Sequence, residues 1–119
     1  MTDNAPKKYV ALYLAPASVL ADWAKTDPEI RKAAEQKMQA EWKKWMADNS
    51  KLITLTEAGG KTKQVTASGV SDIENDIMLY SLVEAESHEA AAAAFKNHPH
   101  LQIPQSAIQL MEIRSIGQM

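Results

Sequence analysis

The feature that most constrains the fold is a strand that is apolar on both faces and leads directly into a helix of small residues. Residues 77–83 read IMLYSLV, and Ser81 alone interrupts the apolar run. A strand with one wet face alternates apolar and polar residues, so this pattern predicts cover on both faces. Ser87 then suits an N-cap, because its hydroxyl can accept a free amide. The alanines at 90–94 predict a helix lying close to the sheet, which Pro99 ends.

The rest of the chain alternates strand and helix patterns. Apolar residues at helical spacing predict helices over 17–25 and 28–47, the second beginning at Asp27 and Pro28. Strands are predicted at 8–14, 52–57, 64–67 and 107–116. We predict a hairpin with its turn at Gly59 and Gly60, formed by the strands 52–57 and 64–67. The polar segment 68–75 predicts a loop.

This element order predicts an α+β fold of ferredoxin-like type, an antiparallel sheet with helices on one face. Residues 1–6 are polar and are expected to be flexible, and residues 7–119 form a single domain. The strands are apolar on both faces, whereas the helices cover only one. A second copy of the chain is the simplest cover for the other face, so we expect a homodimer.

Composition excludes several classes of protein. The 119 residues carry a net charge of −2, so there is no basic surface and we expect no nucleic-acid partner. The chain has no cysteine, which removes disulfides and thiolate chemistry. No apolar run reaches the roughly 18 residues of a membrane span, and MTDNAPKK lacks the apolar core of a signal peptide. A cytoplasmic protein without membrane contact, cofactor or metal is therefore the expectation.

His98 and His100, just past the alanine helix, are the most distinctive polar feature. Histidine titrates near neutral pH, so the pair could serve acid–base catalysis in a pocket at the helix end. The alternative is structural: histidines that cap the helix and pack against a loop. A metal site would need a third ligand, which His88 is too distant to supply.

Three aromatic side chains, Tyr13, Trp42 and Tyr80, are candidates for an apolar ligand pocket between helix and sheet. Aromatic side chains on the apolar side of a helix also pack in the hydrophobic core, so a ligand pocket and simple core packing both remain possible interpretations. Arg114 is a further candidate for ligand binding. It lies two residues from Glu112 on the predicted last strand, and a structural ion pair between them is the alternative.

The C-terminal half resembles the YCII-related family, which includes the DGPF-domain proteins. The resemblance covers roughly residues 52–116 and rests on EAGGKTKQV, DIMLYSLVEA, ESHEAAAAAFKNHPHL and the Glu-x-Arg pattern of Glu112 and Arg114. It implies a dimeric α/β barrel in which two ferredoxin-like sheets face each other. Some members are linked to an acid–base His–Asp pair. The first strand and following segment here, KYVALYLAPASVL, contain no histidine, so that pair does not carry over.

Two functions are consistent with these patterns. The first is a small-molecule-binding or enzyme-like dimeric α/β barrel, with acid–base chemistry at His98 and His100. The second is a non-catalytic dimeric module for interaction or regulation, favoured by the lack of a complete catalytic set. The fold does not choose between them, because this architecture hosts many unrelated functions.

Overall fold

The computed structural model describes residues 7–118, so the predicted flexible segment 1–6 lies outside the described residues. It contains six strands, three α-helices and two short 3₁₀ turns. The strands are β1 (Lys7–Leu14), β2 (Ile53–Ala58), β3 (Thr62–Thr66), β4 (Gly69–Ile73), β5 (Ile77–Ala85) and β6 (Ala107–Glu112). The helices are α1 (Ala17–Ala24), α2 (Pro28–Asp48) and α3 (His88–Ala94), and the 3₁₀ turns are Pro99–Gln102 and Ile116–Gln118.

The main sheet has the strand order β2-β5-β1-β6, and every neighbouring pair is antiparallel. Together with the three helices, this makes an α+β architecture that is compatible with the predicted ferredoxin-like fold. The predicted helix starts are confirmed. The Asp27 carboxylate accepts from the Glu29 amide at 3.2 Å, and the Ser87 hydroxyl accepts from the Ala90 amide at 3.0 Å.

The predicted hairpin and the predicted polar loop are both wrong. β2 pairs with β5, whereas β3 pairs with β4, whose residues were expected to form a loop. The reversal occurs at Ala67 and Ser68 rather than at Gly59 and Gly60, because Gly69 at φ 142° supplies a backbone conformation that other residues rarely adopt. A 2.7 Å ion pair between Lys63 and Asp72 joins the two strands. The last strand is also shorter than predicted and ends at Glu112.

One face of the main sheet is largely covered. Five side chains of β1 and β5 on this face are at most 1% exposed: Tyr9, Ala11, Tyr13, Ser81 and Val83. The cover consists of Ala91 and Phe95 at α3 and of two half-buried tryptophans on α2, Trp42 and Trp45. This face therefore holds the core of the domain.

The opposite face is more open. Alternate residues on β1 and β5, among them Leu12, Tyr80 and Leu82, are only half-buried, and Met111 on β6 is 53% exposed. The register places these side chains together, since Leu12 pairs with Tyr80 and both face away from Tyr13. An apolar sheet face is thus left with much less cover than its counterpart.

The first half of α2 does not lie on the sheet as its apolar stripe predicts. Ile30 remains 60% exposed, while Trp42 and Trp45 further along the helix reach the core. The first half contacts α1 instead, since Arg31 Nη1 donates to the Ala24 carbonyl at 2.6 Å. The chain is consequently extended, with a radius of gyration of 16.9 Å. About 13–14 Å is typical of a compact domain of this length.

Candidate functional site

His98 and His100 lie in a tight turn that follows α3. His98 is the N-cap of the 3₁₀ turn Pro99–Gln102, and its Nδ1 accepts from the His100 amide at 2.9 Å. This segment is therefore a turn and not a strand. Both rings contact Tyr13, with centroids at 5.3 Å for His98 and 5.6 Å for His100.

Aromatic rings surround His98. Trp42 and Trp45 from α2 meet it edge-on, with centroids at 4.2 Å and 4.4 Å, and Phe95 lies at 5.8 Å. His98 is only 1% exposed. Since its Nδ1 is an acceptor, the neutral ring carries its proton on Nε2, which has no hydrogen-bond partner in the described part of the chain. The histidine cluster, as we call it, consists of these residues: Tyr13, Trp42, Trp45, Phe95, His98 and His100.

Burial keeps both imidazoles neutral. Burial, together with a smaller effect of the nearby His100, lowers the pKa of His98 to about 4. Burial also lowers the pKa of His100, partly opposed by a hydrogen bond at 2.9 Å to the Leu14 carbonyl. A carbonyl can only accept, so His100 Nε2 donates. The pKa of His98 is therefore too low for a general acid or base at pH 7, and the pKa of His100 is shifted in the same direction.

A hydroxyl chain continues from the cluster into the sheet. The Tyr13 hydroxyl lies 2.8 Å from the Ser81 hydroxyl, which in turn lies 2.7 Å from the Thr56 hydroxyl. Burial raises the pKa of Tyr13, and its hydrogen bond to Ser81 acts in the opposite direction. Ser81, the one polar break in the apolar strand, is thus explained by a buried hydrogen-bond partner.

The predicted ligand-binding residues do not converge. Tyr13 and Trp42 lie beside His98 in the packed core, whereas Tyr80 points to the opposite sheet face and donates to Glu57 at 2.9 Å. That hydrogen bond raises the pKa of Tyr80. Arg114 lies just beyond β6, where its Nε is 3.1 Å from Glu112 Oε1, so the predicted ion pair is confirmed. Their role in ligand binding stays a prediction.

An open cleft lies next to the cluster. The α1–α2 cleft has a volume of about 580 Å³ and runs between α1, the first half of α2 and the segment 102–105. On one side Trp23 Nε1 donates to Glu35 Oε2 at 3.2 Å and ties the two helices together. None of the cluster residues lines it. The lining residues are Val19, Leu20, Asp22, Trp23, Thr26, Glu35, Met78, Gln102, Ile103, Pro104 and Gln105.

The wall at 102–105 is held by the histidine turn. The Ile103 amide and the Ser106 hydroxyl both donate to the His100 carbonyl, at 3.1 Å and 3.0 Å. Gln102 Nε2 donates to Glu41 on α2 at 3.0 Å. Gln105 has a φ of 60°, a left-handed conformation that costs a non-glycine residue on the order of 1–2 kcal/mol. The cluster therefore fixes the position of one wall of the cleft.

Sequence reasoning missed this cleft. Val19, Leu20 and Trp23 were recognised as the apolar side of a short helix, but nothing in the sequence says that the helix stands beside the sheet rather than on it. One signal was available in the sequence. The predicted helices carry more apolar surface than one face of the sheet can cover, which indicates that part of this surface lies elsewhere. The side-chain contacts that create the cleft join residues far apart in the chain and have no local pattern.

Comparison of the chain with protein-family models and with curated protein sequences gave no match. Within residues 7–118, no three His, Asp or Glu side chains are grouped so that they could hold a metal ion. In the same range no helix combines the length and the apolar character needed to cross a membrane.

Proposed function

We propose that the chain is a small-molecule-binding protein and that the α1–α2 cleft is its binding site. The observation that carries this proposal is the shape and lining of the cleft. Its volume of about 580 Å³ falls within the range of roughly 300–1,000 Å³ typical of ligand pockets. Its surface is largely apolar, from residues such as Leu20, Met78 and Ile103, and a few polar side chains also line it.

In this proposal the histidine cluster supports the site and does not contact the ligand. His98 and His100 are both 1% exposed, and the turn they form leads directly into the cleft wall at 102–105. Acid–base chemistry by the two histidines stays a prediction. It would require the turn to open, because a general acid or base must come within hydrogen-bond reach of its substrate.

A thermal-shift screen with small aromatic compounds tests the binding site. Leu20→Trp fills the cleft from α1, and Ala21→Trp places the same side chain at an exposed neighbouring position that does not line the cleft. We expect compounds that stabilise wild type to stabilise Ala21→Trp equally and Leu20→Trp much less. Equal stabilisation of all three proteins would place the ligand elsewhere and contradict the proposal.

A homodimer completes the proposed assembly. The open sheet face around Leu12 and Leu82 and the radius of gyration of 16.9 Å both support a second copy as cover, and a dimeric α/β barrel would join two such faces. Light scattering should give twice the monomer mass at micromolar concentration. Leu12→Lys should yield monomers and Val65→Lys, on a 76% exposed hairpin position, should not. A monomeric wild type would exclude the dimer.

The alternative is a non-catalytic dimeric module for interaction or regulation. One observation favours it: the space between α2, α3 and the sheet is filled, with Tyr13, His98 and His100 at most 1% exposed. A screen in which no compound shifts the melting temperature would favour this alternative. The YCII-related resemblance and the cytoplasmic location stay predictions in either case.

A further inference from the structure

We propose that the α1–α2 cleft selects an organic cation, an amine carried on an aromatic or branched apolar body. This rests on the proposed function of the cleft as a binding site. The cleft has two charged lining residues, Asp22 on α1 and Glu35 on α2, and both are acids. A cationic ligand is attracted by both carboxylates, and an anionic ligand is repelled by both.

Trp23 adds a second attraction for a cation. Its indole is 36% exposed and lines the cleft, and its Nε1 is bound to Glu35 at 3.2 Å. This hydrogen bond keeps the indole ring next to a carboxylate. An ammonium group near both would gain charge attraction from Glu35 and a cation–π interaction with the ring, for which tryptophan is the best aromatic partner.

The apolar body of the ligand would contact the apolar part of the cleft lining. Val19 and Leu20 from α1, Met78 from β5, and Ile103 with Pro104 provide this surface. Such a surface favours a hydrocarbon or aromatic group over a hydrated inorganic cation, since burial of apolar area is favourable. The combination of apolar walls and two acids therefore points to an amine rather than to a metal ion.

Within the described part of the chain, no basic residue lines the cleft. Arg31 on α2 donates to the Ala24 carbonyl at 2.6 Å, beside the last turn of α1, and it does not line the cleft. Its guanidinium thereby occupies the negative end of the α1 dipole. The acidic character of the cleft lining is retained.

Three probes of similar shape and different charge test the proposal. They are 2-phenylethylamine, 2-phenylethanol and 3-phenylpropanoate, titrated into the full chain at pH 7 and low salt. The readout is the ¹H–¹⁵N NMR shift of the Trp23 indole and of the backbone amides of Leu20 and Gln105. We expect the amine to bind roughly tenfold more tightly than the alcohol, and the carboxylate to bind most weakly.

Two double variants distinguish the effect of the carboxylates that line the cleft from the effect of the net charge of the protein. Asp22→Asn/Glu35→Gln should reduce the affinity for the amine to that for the alcohol. Glu86→Gln/Glu89→Gln removes the same number of charges at exposed positions near α3 and should leave the preference intact. If amine and alcohol bind the wild-type cleft equally, the cation preference is wrong and the binding site stands. If no probe shifts the three reporter groups, both proposals are overturned.

Discussion

The histidine cluster and the α1–α2 cleft meet along the segment 98–105. Polar side chains are buried in the cluster, whereas an apolar side chain is exposed in the cleft, which is the reverse of what the residue types suggest. His98 and His100 are polar and titratable, and each is 1% exposed. Trp23 is large and apolar, and it is 36% exposed beside a cavity of about 580 Å³. The region that resembles a catalytic site in the sequence is packed, and the region that resembles core is open.

This contrast teaches that chemistry-bearing residues mark a site only when packing leaves space beside them. His98 is enclosed because two tryptophans of α2 and Phe95 pack around its ring. The cleft lies between α1 and α2, which are joined by hydrogen bonds from Trp23 and Arg31. In our interpretation, stability resides in the cluster and recognition in the cleft. The following predictions test that division.

The largest expected effect is the loss of stability in His98→Ala. The substitution removes a buried ring from contact with four aromatic side chains and also removes the N-cap of the 3₁₀ turn. We expect a loss of about 4 kcal/mol in the free energy of unfolding, from cavity formation and the lost cap together. Urea unfolding at pH 7 and one fixed protein concentration measures it.

His88→Ala is the matched control for that substitution. His88 also stacks on a tyrosine, Tyr9, and its Nε2 donates to the Leu110 carbonyl at 2.7 Å, but the side chain is exposed. Its replacement should cost less than about 1 kcal/mol. Similar losses in the two variants would show that the histidine cluster is not a special source of stability.

Acid should destabilise the protein through the same residue. The pKa of His98 is about 4 in the folded state, below the usual value of 6.5, so the unfolded state binds protons more readily. Stability from this group is complete above pH 6.5 and is lost as the pH falls toward 4. Linkage gives a loss of about 2 kcal/mol between pH 7 and pH 5, before carboxylates contribute much.

Urea unfolding at pH 7 and pH 5, together with NMR titration of the His98 ring, checks this pH dependence. His98→Asn keeps an acceptor for the His100 amide but cannot titrate, so its stability should change much less over the same interval. His100 contributes in the same direction, since its pKa is also lowered. A pKa of His98 near 6.5 in the folded protein would contradict the prediction.

Two tyrosine hydroxyls give a smaller effect that sharpens the comparison. Tyr13→Phe removes a buried hydroxyl from Ser81, whereas Tyr80→Phe removes a more exposed one from Glu57 on the other sheet face. We expect losses of about 1 kcal/mol for Tyr13→Phe and below about 0.5 kcal/mol for Tyr80→Phe. Thermal or urea unfolding of both variants measures the difference. A larger loss in Tyr80→Phe would indicate that the open face is the more tightly packed one.

The sequence predicts the local elements well because their signals are local. Asp27 and Ser87 begin helices where expected, since a cap needs only its own side chain and an amide a few residues away. The element order predicts an antiparallel sheet with helices, and the main sheet is antiparallel. Strand pairing was harder: Gly59 and Gly60 suggested a hairpin turn, but the tight reversal precedes Gly69 because that glycine takes φ 142°.

The candidate site was harder to predict because it depends on contacts between distant segments. His98 and His100 were recognised from their position after the helix, but their burial depends on Trp42 and Trp45, more than 50 residues away in the sequence. Similarly, the tie between Trp23 and Glu35 joins two helices whose relative placement no periodicity encodes. Residue types predict which chemistry is available, and tertiary packing decides which of it can meet a ligand.

Trp23→Phe is expected to cost as little stability as Tyr80→Phe, and this makes it a direct test of the division. The variant loses an exposed hydrogen bond to Glu35 and little packing, so the free energy of unfolding should change by less than about 0.5 kcal/mol. Trp42→Phe, in the histidine cluster, should cost about 2 kcal/mol for the same chemical change. Urea unfolding of the pair measures both. A loss above that of Trp42→Phe would mean that the contact between α1 and α2 stabilises the fold, and the exposed indole could then no longer be interpreted as a surface kept open for a ligand.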